Sequence, residues 1–207
     1  MTSCWACKGE VRVGVPACPS CGKLQPVDRR EDFFSLLDLP REFGLDAEEL
    51  ERRFRERSRV VHPDRWAKAD ARQRRLALER ATRLNDAHRV LRDWRQRAAY
   101  LLRLAGLEPF GEARFAHDPE FLEEQLELRE TLAVAKADGD RPRLEALADD
   151  ARARLAALER DLARLFGDQA WYSDHAADVA HRLARARYFE NLATDAERAA
   201  APGPARA

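Results

Sequence analysis

Apolar residues recur along most of this chain at the spacing of an α-helix. Leu50, Phe54 and Val61 fall four and seven residues apart, and arginines at 52, 53, 55, 57 and 59 crowd the positions between them. One face of this stretch is apolar and the rest strongly cationic, the pattern of an amphipathic surface helix. Asp46 marks its start as an N-cap, with Glu49 three residues on. Pro63 marks its end, because the ring fixes its own φ and pushes His62 out of the α region. Upstream, Asp32 to Leu39 reads as a short apolar helix stopped by Pro40. Downstream, Leu76, Ala77, Ala81, Leu84, Ala87, His88 and Leu91 lie in one sector of a helical wheel, which predicts a long helix.

Residues 105 to 111 contain two glycines and a proline, and end a connecting helix that carries Ala99 to Leu102. Three more helical stretches follow at about 118–137, 142–166 and 170–193, punctuated by Asp138-Gly139-Asp140 and by Gly167, with Pro142 suited to a first turn. Helices joined by such short loops pack as antiparallel neighbours in a small bundle. In the first of them, Phe121, Leu128, Leu132 and Ala135 form one apolar sector. Leu122, Leu126 and Ala133 form a second, roughly 100 degrees away, edged by Glu123, Glu127 and Glu130. Periodicity leaves two readings of this second sector open: more core, or an exposed binding patch bordered by carboxylates. Ala and Pro dominate from Ala199 onward, which predicts a disordered tail.

Composition agrees with a small modular protein. The chain has 207 residues, 45% hydrophobic and 36% charged, enough for one to two soluble, mostly helical domains. No apolar run approaches the roughly 18 residues of a membrane span, and no signal-peptide pattern follows Met1, so a cytoplasmic address is expected. The zero net charge conceals an asymmetry: residues 1–30 and 31–108 each carry +3, and residues 109–207 carry −6. Opposite charges on different segments suit two different partners. Glutamates interleave the arginines and no aromatic stacking platform accompanies them, so nucleic acid is not the expected partner. With no phosphate-binding glycine loop, nucleophile elbow or supported acid pair, the chain is not expected to be an enzyme.

All four cysteines lie in the first 21 residues, as Cys4-x2-Cys7 and Cys18-x2-Cys21 separated by ten residues. Two such pairs can converge four thiolates on one tetrahedral ion. Structural zinc is the first choice, because soft thiolates in a reducing compartment favour it. Disulfides and a rubredoxin-like iron site remain alternatives. A hairpin is expected between the pairs, with Glu10 to Val13 rising to a turn at Gly14 to Pro16, and Gly9 and Gly22 should allow the tight turns after each pair. Residues 25–30, around Pro26, read as a linker.

Short helix, basic helix, His62-Pro63-Asp64 and long helix together resemble a J domain, the module of co-chaperones that engages an Hsp70 ATPase. Leu84-Asn85-Asp86-Ala87-His88-Arg89-Val90-Leu91 is similar to the family's third helix. The stretch from Phe121 to Glu130 resembles the opening helix of the C-terminal domain of HscB-type co-chaperones, which deliver an iron-sulfur scaffold protein to a dedicated Hsp70. With Ala99-Tyr100-Leu101-Leu102, the likeness extends over roughly residues 31 to 194. The four-cysteine segment is similar to a zinc-binding extension carried by some members.

This resemblance implies a mainly α protein. A small N-terminal zinc knuckle (1–24) and the linker (25–30) would precede a helical J domain with its connecting helix (31–108). A C-terminal three-helix scaffold-binding domain (109–197) and a disordered tail (198–207) would follow. It implies Hsp70 binding through His62, Pro63, Asp64, Arg52, Arg55 and Arg59, and scaffold binding through Leu122, Leu126, Glu127, Glu130 and Tyr188. Glu123 departs from the family, which is familiar with an apolar residue there. The implied partners are an Hsp70-type chaperone and an iron-sulfur cluster scaffold, with no membrane. The implied role is stimulation of the chaperone's ATPase in iron-sulfur cluster assembly. A general J protein for unfolded clients and a zinc-knuckle nucleic-acid adaptor are the rival readings.

Overall fold

The computed structural model describes residues 1–28, 30–108, 118–167 and 175–201. They form two compact units, Met1–Arg97 and Ala98–Ala207, and the fold is mainly α.

In the first unit, strand β1 (Thr2–Ser3) pairs antiparallel with β2 (Glu10–Val11), Thr2 opposite Val11 and Ser3 opposite Glu10. The expected hairpin between the cysteine pairs is not what forms. β2 pairs backward, so each cysteine pair sits inside its own small loop, the second closed by a bridge between Ala17 and Leu24. Helix α1 (Phe33–Leu37) starts on Asp32, whose carboxylate accepts from the Ser35 amide at 2.7 Å. It ends on Asp38 in the left-handed region (φ 57°), two residues before the proline expected to stop it. Helix α2 (Ala47–Val61) starts as its sequence predicts, with Asp46 accepting from the Glu49 amide at 2.7 Å. A 3-10 turn (Pro63–Trp66) leads to α3 (Ala71–Arg92), and α4 (Trp94–Leu104) follows.

The core of this unit is built from Phe34, Leu37, Leu50, Val61, Leu76, Ala77, Leu84, Ala87 and Leu91, all buried. The buried positions of α3 are 73, 76, 77, 80, 84, 87 and 91, an alternating spacing of four and three from 73 to 91 with Leu76 beside Ala77. Two of them are polar: Gln73 is 0% exposed and Arg80 2%. Gln73 finds its partners at Leu24, just before the stretch that reads as a linker, and Arg80 finds two of its partners within that stretch. Gln73 accepts from the Leu24 amide at 2.9 Å and donates to the Leu24 carbonyl at 3.4 Å. Arg80 donates to the carbonyls of Gln25 and Pro26 and pairs with Glu31 at 3.0 Å. Leu24, Gln25 and Glu31 are accordingly buried. The cysteine segment therefore rests on the helices of the same unit.

A second contact fixes that seating. Gly14 has φ +87°, and a Cβ there would fall 2.4 Å from the carbonyl oxygen of Ser35 in α1. No other residue type permits both the backbone and the approach.

The second unit packs α5 (Pro119–Asp138), α6 (Arg141–Gly167) and α7 (Ala176–Ala200) around one core that includes Phe121, Leu132, Leu144, Leu147, Phe189 and Leu192. Polar groups tie the three helices together. Glu124 of α5 pairs with Arg154 of α6 and, at 3.2 Å, with Arg185 of α7, while Asp118 pairs with His181 at 3.0 Å. Helix α7 runs to Ala200, so residues 198–200 are helical where a tail was expected. Helix α4 ends at Leu104 and Gly106 is left-handed (φ 77°), as the break expected at 105–111 requires, while residues 109–111, 202–207 and the expected start of the last helix at 170 lie outside the described residues. Among the described residues, no helix is long and apolar enough to cross a membrane.

Gly14→Ala is expected to destabilise the first unit by about 2 kcal/mol, since it adds left-handed strain to a backbone clash. Urea unfolding followed by tryptophan fluorescence checks this. An unchanged midpoint would mean that the segment does not rest on α1.

Candidate functional site

Helix α2 ends at His62, whose extended conformation (φ −55°, ψ 127°) is what the following proline demands. The His62 Nδ1 accepts weakly from the Asp64 amide at 3.4 Å, and the His62 carbonyl accepts from the Arg65 amide at 3.1 Å. Trp66 fastens the turn from below, its indole donating to the Val60 carbonyl at 2.9 Å. The turn is thus held by its backbone, while its functional groups point outward: the side chains of His62 and Asp64 are 59% and 90% exposed. A carboxylate this open has its charge available to a partner.

The basic helix divides into two sets of arginines. Arg53 and Arg57 turn inward onto Asp38, the left-handed cap of α1, at 2.9 and 3.5 Å. Burial lowers the pKa of Arg57, the direction set by lost hydration. They hold α2 to α1 and leave the exposed cationic face to Arg52, Arg55 and Arg59. These three line a shallow trough together with Glu48, Glu51 and Glu56. Arg52 pairs with Glu49 and Glu56 at 2.6 Å each, and Arg55 lies 3.8 Å from Glu51. Arg52 and Arg53 together hold the Glu49 carboxyl below its usual range. The face is a patterned one of both signs, less uniformly cationic than the arginine count implies.

Four free thiols gather in the N-terminal segment of this unit. Cys4 and Cys18 are buried, and Cys7 and Cys21 exposed. Their sulfurs all lie within 4.8 Å of one another, with Cys4–Cys21 and Cys7–Cys18 at 3.7 Å. A tetrahedron of zinc–sulfur bonds has edges of about 3.8 Å, so the set fits a four-coordinate ion. The two loops share one geometry. The amides of Cys4 and Cys18 donate to the carbonyls of Gly9 and Lys23, and the amides of Lys8 and Gly22 donate back to Cys4 and Cys18. The left-handed position is Gly22 (φ 71°) in the second loop but Lys8 (φ 64°) in the first. Gly9 serves differently, since a Cβ there would press on Ser20 Oγ at 3.1 Å and Cys7 Sγ at 3.4 Å.

The electrostatics of the cluster call for a cation. Amide donors at Cys7 and Ala6 outweigh burial and pull the Cys4 thiol down to about 6. A backbone N–H of Lys23 favours the Cys21 thiolate, but burial and the neighbouring thiols push it up to about 12. One sulfur ionises readily and the last resists, because four negative charges cannot share so small a space unaided. A bound metal removes that obstacle. Four cysteines this close could hold a metal ion.

In the second unit, α5 presents the two apolar sectors differently. Phe121, Leu132 and Ala135 are buried in the core, with Leu128 packed against it. Leu122 and Leu126 are 50% and 67% exposed, which removes the core reading of the second sector within this unit. Glu127 and Glu130 are exposed beside them. Tyr188 of α7 reaches across: its hydroxyl donates to the Gln125 carbonyl at 3.0 Å, and its ring meets Phe121 edge-on at 5.6 Å. Burial raises the Tyr188 pKa. This tyrosine is therefore half core and half surface. Glu124, Arg154 and Arg185, which orient α5, are outside the sequence-derived set. Glu124 lies on the side of α5 that faces α6 and α7, where Arg154 and Arg185 meet it.

Comparison with known proteins places both units. Residues 32–100 match the DnaJ domain family, and residues 117–197 match the family described as the HSCB C-terminal oligomerisation domain. The chain is 38% identical over 165 residues to the co-chaperone protein HscB homolog of Bordetella avium, covering 80% of this chain and 95% of that one. It is 42% identical over 122 residues to the Paraburkholderia phymatum homolog, covering 59% and 70%. The crystal structure of human co-chaperone protein HscB superposes with a TM-score of 0.80 at 28% identity, covering 95% of this chain and 97% of the human one. The chaperone HscB of Vibrio cholerae superposes with a TM-score of 0.67 at 32% identity, covering 81% and 96%. Two family domains in the same order, and near-complete coverage of a relative at this identity, mean that the chain belongs to the HscB family of J-domain co-chaperones.

Proposed function

We propose that this protein delivers an iron-sulfur cluster scaffold protein to an Hsp70 chaperone and stimulates that chaperone's ATPase, so assisting cluster assembly and transfer. The observation that carries the reading is the pairing of an open His62-Pro63-Asp64 turn in one unit with an open leucine patch on α5 in the other. In this reading Asp64 supplies the ionic contact to the chaperone, Pro63 shapes the turn and His62 adds polar contacts. Arg52, Arg55 and Arg59 steer the encounter. Leu122 and Leu126 anchor the scaffold, Tyr188 extends the apolar surface, and Glu127 and Glu130 set its orientation. The chain performs no covalent chemistry. It couples scaffold delivery to ATP turnover by binding one chaperone state better than the other. Zinc bound by Cys4, Cys7, Cys18 and Cys21 would act as a structural crosslink.

Asp64→Asn keeps size and turn compatibility while removing one exposed charge. Near-complete loss of ATPase stimulation is expected in a single-turnover assay with the matching Hsp70, with scaffold affinity unchanged. Normal stimulation by this variant would sink the chaperone assignment of the turn.

Replacing Leu122 and Leu126 together by Ala is expected to weaken scaffold binding roughly a hundredfold, at about 1.5 kcal/mol for each anchor. Stability should change by less than about 0.5 kcal/mol, because both side chains are already exposed. Calorimetric titration and thermal melting of one sample distinguish the two effects. Unweakened binding would exclude the patch as the anchor.

One zinc per chain is expected from elemental analysis of protein purified under reducing conditions, falling to none when the cysteines are replaced by serine. Stoichiometric iron, or a metal-free chain with paired disulfides, would refute the zinc reading.

A further inference from the structure

We propose that the four-cysteine site governs the J domain on which it rests. With metal bound, residues 24 and 25 are held as the partners that the buried polar side chains of α3 require, and metal loss loosens the N-terminal half of α3. The inference depends on the reading that the cysteines hold a cation, and extends it to what the cation does.

The connection can be followed atom by atom. Gln25 donates through Nε2 to the Cys4 sulfur at 3.3 Å and to the Lys23 carbonyl at 2.8 Å. Its Oε1 accepts from the Trp5 amide at 3.4 Å, and the Trp5 indole donates to the Leu24 carbonyl at 2.8 Å. Residues 24 and 25 are thus strapped to the first cysteine loop by side chains, and they continue directly from the second. On their other side lies α3. Gln73 takes both the amide and the carbonyl of Leu24, and Arg80 takes the carbonyl of Gln25. The guanidinium of Arg72 stacks 3.7 Å over Trp5, and Lys23 reaches Asp70, the N-cap of α3, at 3.5 Å.

Burial turns this connection into a dependence. Gln73 and Arg80 are 0% and 2% exposed with residues 24 and 25 in place, so freeing those residues strips Gln73 of both its Leu24 partners and Arg80 of the Gln25 carbonyl, and uncovers this face of α3. Buried polar groups left unpaired are costly. The cysteine loops have little core of their own to keep their shape without metal, since that core is Cys4, Val11 and Cys18 with Val15 against them. Loss of metal therefore frees residues 24 and 25, and α3 gives up internal pairing from Asp70 to Arg80. Asp70 lies six residues beyond Asp64, so the segment that loosens begins where the His-Pro-Asp turn enters α3. Coupling of this kind is reciprocal: whatever weakens the grip of α3 must weaken metal binding by the same factor.

Hydrogen exchange of the full chain, zinc-loaded and then stripped by a chelator under reducing conditions, tests the coupling. Exchange over residues 71–80 should accelerate at least about tenfold without zinc, while α6 and α7 stay unchanged. A Cys7→Ser/Cys21→Ser variant, altered only at exposed cysteines, should reproduce the acceleration with no chelator present. In the reverse direction, Gln73→Ala should lower zinc affinity about tenfold in a chelator competition. Equal exchange over 71–80 with and without zinc, or an unaltered zinc affinity in Gln73→Ala, overturns the proposal while leaving the zinc reading intact. A wild-type chain that binds no zinc overturns both.

Discussion

Arg80 carries a guanidinium into a part of the first unit where only 2% of the residue meets solvent. A charge so placed must find its partners inside the protein. It takes the carboxylate of Glu31 and the carbonyls of Gln25 and Pro26. That requirement dictates where residues 24–31 run, and therefore where the cysteine loops before them and α1 after them can sit. Replacing one partner alone would strand the others. Leu76, Leu84 and Leu91 give α3 its apolar packing, and this polar arrangement makes the N-terminal segment part of the same unit.

Much of this was legible in the sequence where local chemistry decides the outcome. The N-cap at Asp46, the forced helix end at His62 and the convergence of two cysteine pairs depend on residues within a few positions of one another. The two sectors of α5 were legible as a pattern, but which of them faces solvent depends on α6 and α7, and periodicity along a single helix does not encode that. Gln73 and Arg80 interrupt an apolar stripe, so their polarity hides them as core positions. Their positions, continuing the alternating spacing of four and three to Leu91, were the signal that they point inward. Residues 25–30 read as a linker because a proline among polar residues resembles one, whereas tertiary hydrogen bonds from α3 bury part of it. Lys8 adopts the left-handed conformation that composition assigns to Gly9, an outcome of loop closure that local propensity does not anticipate.

Within each unit the residues divide cleanly between holding and presenting. Arg53 and Arg57 spend their charge on Asp38 so that Arg52, Arg55 and Arg59 can stand outside. Glu124 draws Arg154 and Arg185 to the inner side of α5, so that Leu122 and Leu126 remain uncovered on the outer side. Trp66 and the backbone bonds at His62 fix the turn, which leaves the Asp64 carboxylate 90% exposed. Exposing a leucine pair or a carboxylate this open brings little stability to an isolated chain. Their cost is repaid only on binding, which is why the two open features carry the functional argument.

In the proposed function one chain joins two partners through separate surfaces. Sedimentation velocity of the full-length protein with its matching Hsp70 and scaffold protein tests this most directly. A single species containing all three proteins is predicted, with the scaffold remaining bound as chaperone is added. Displacement of one partner by the other, leaving only two-protein complexes, would contradict it.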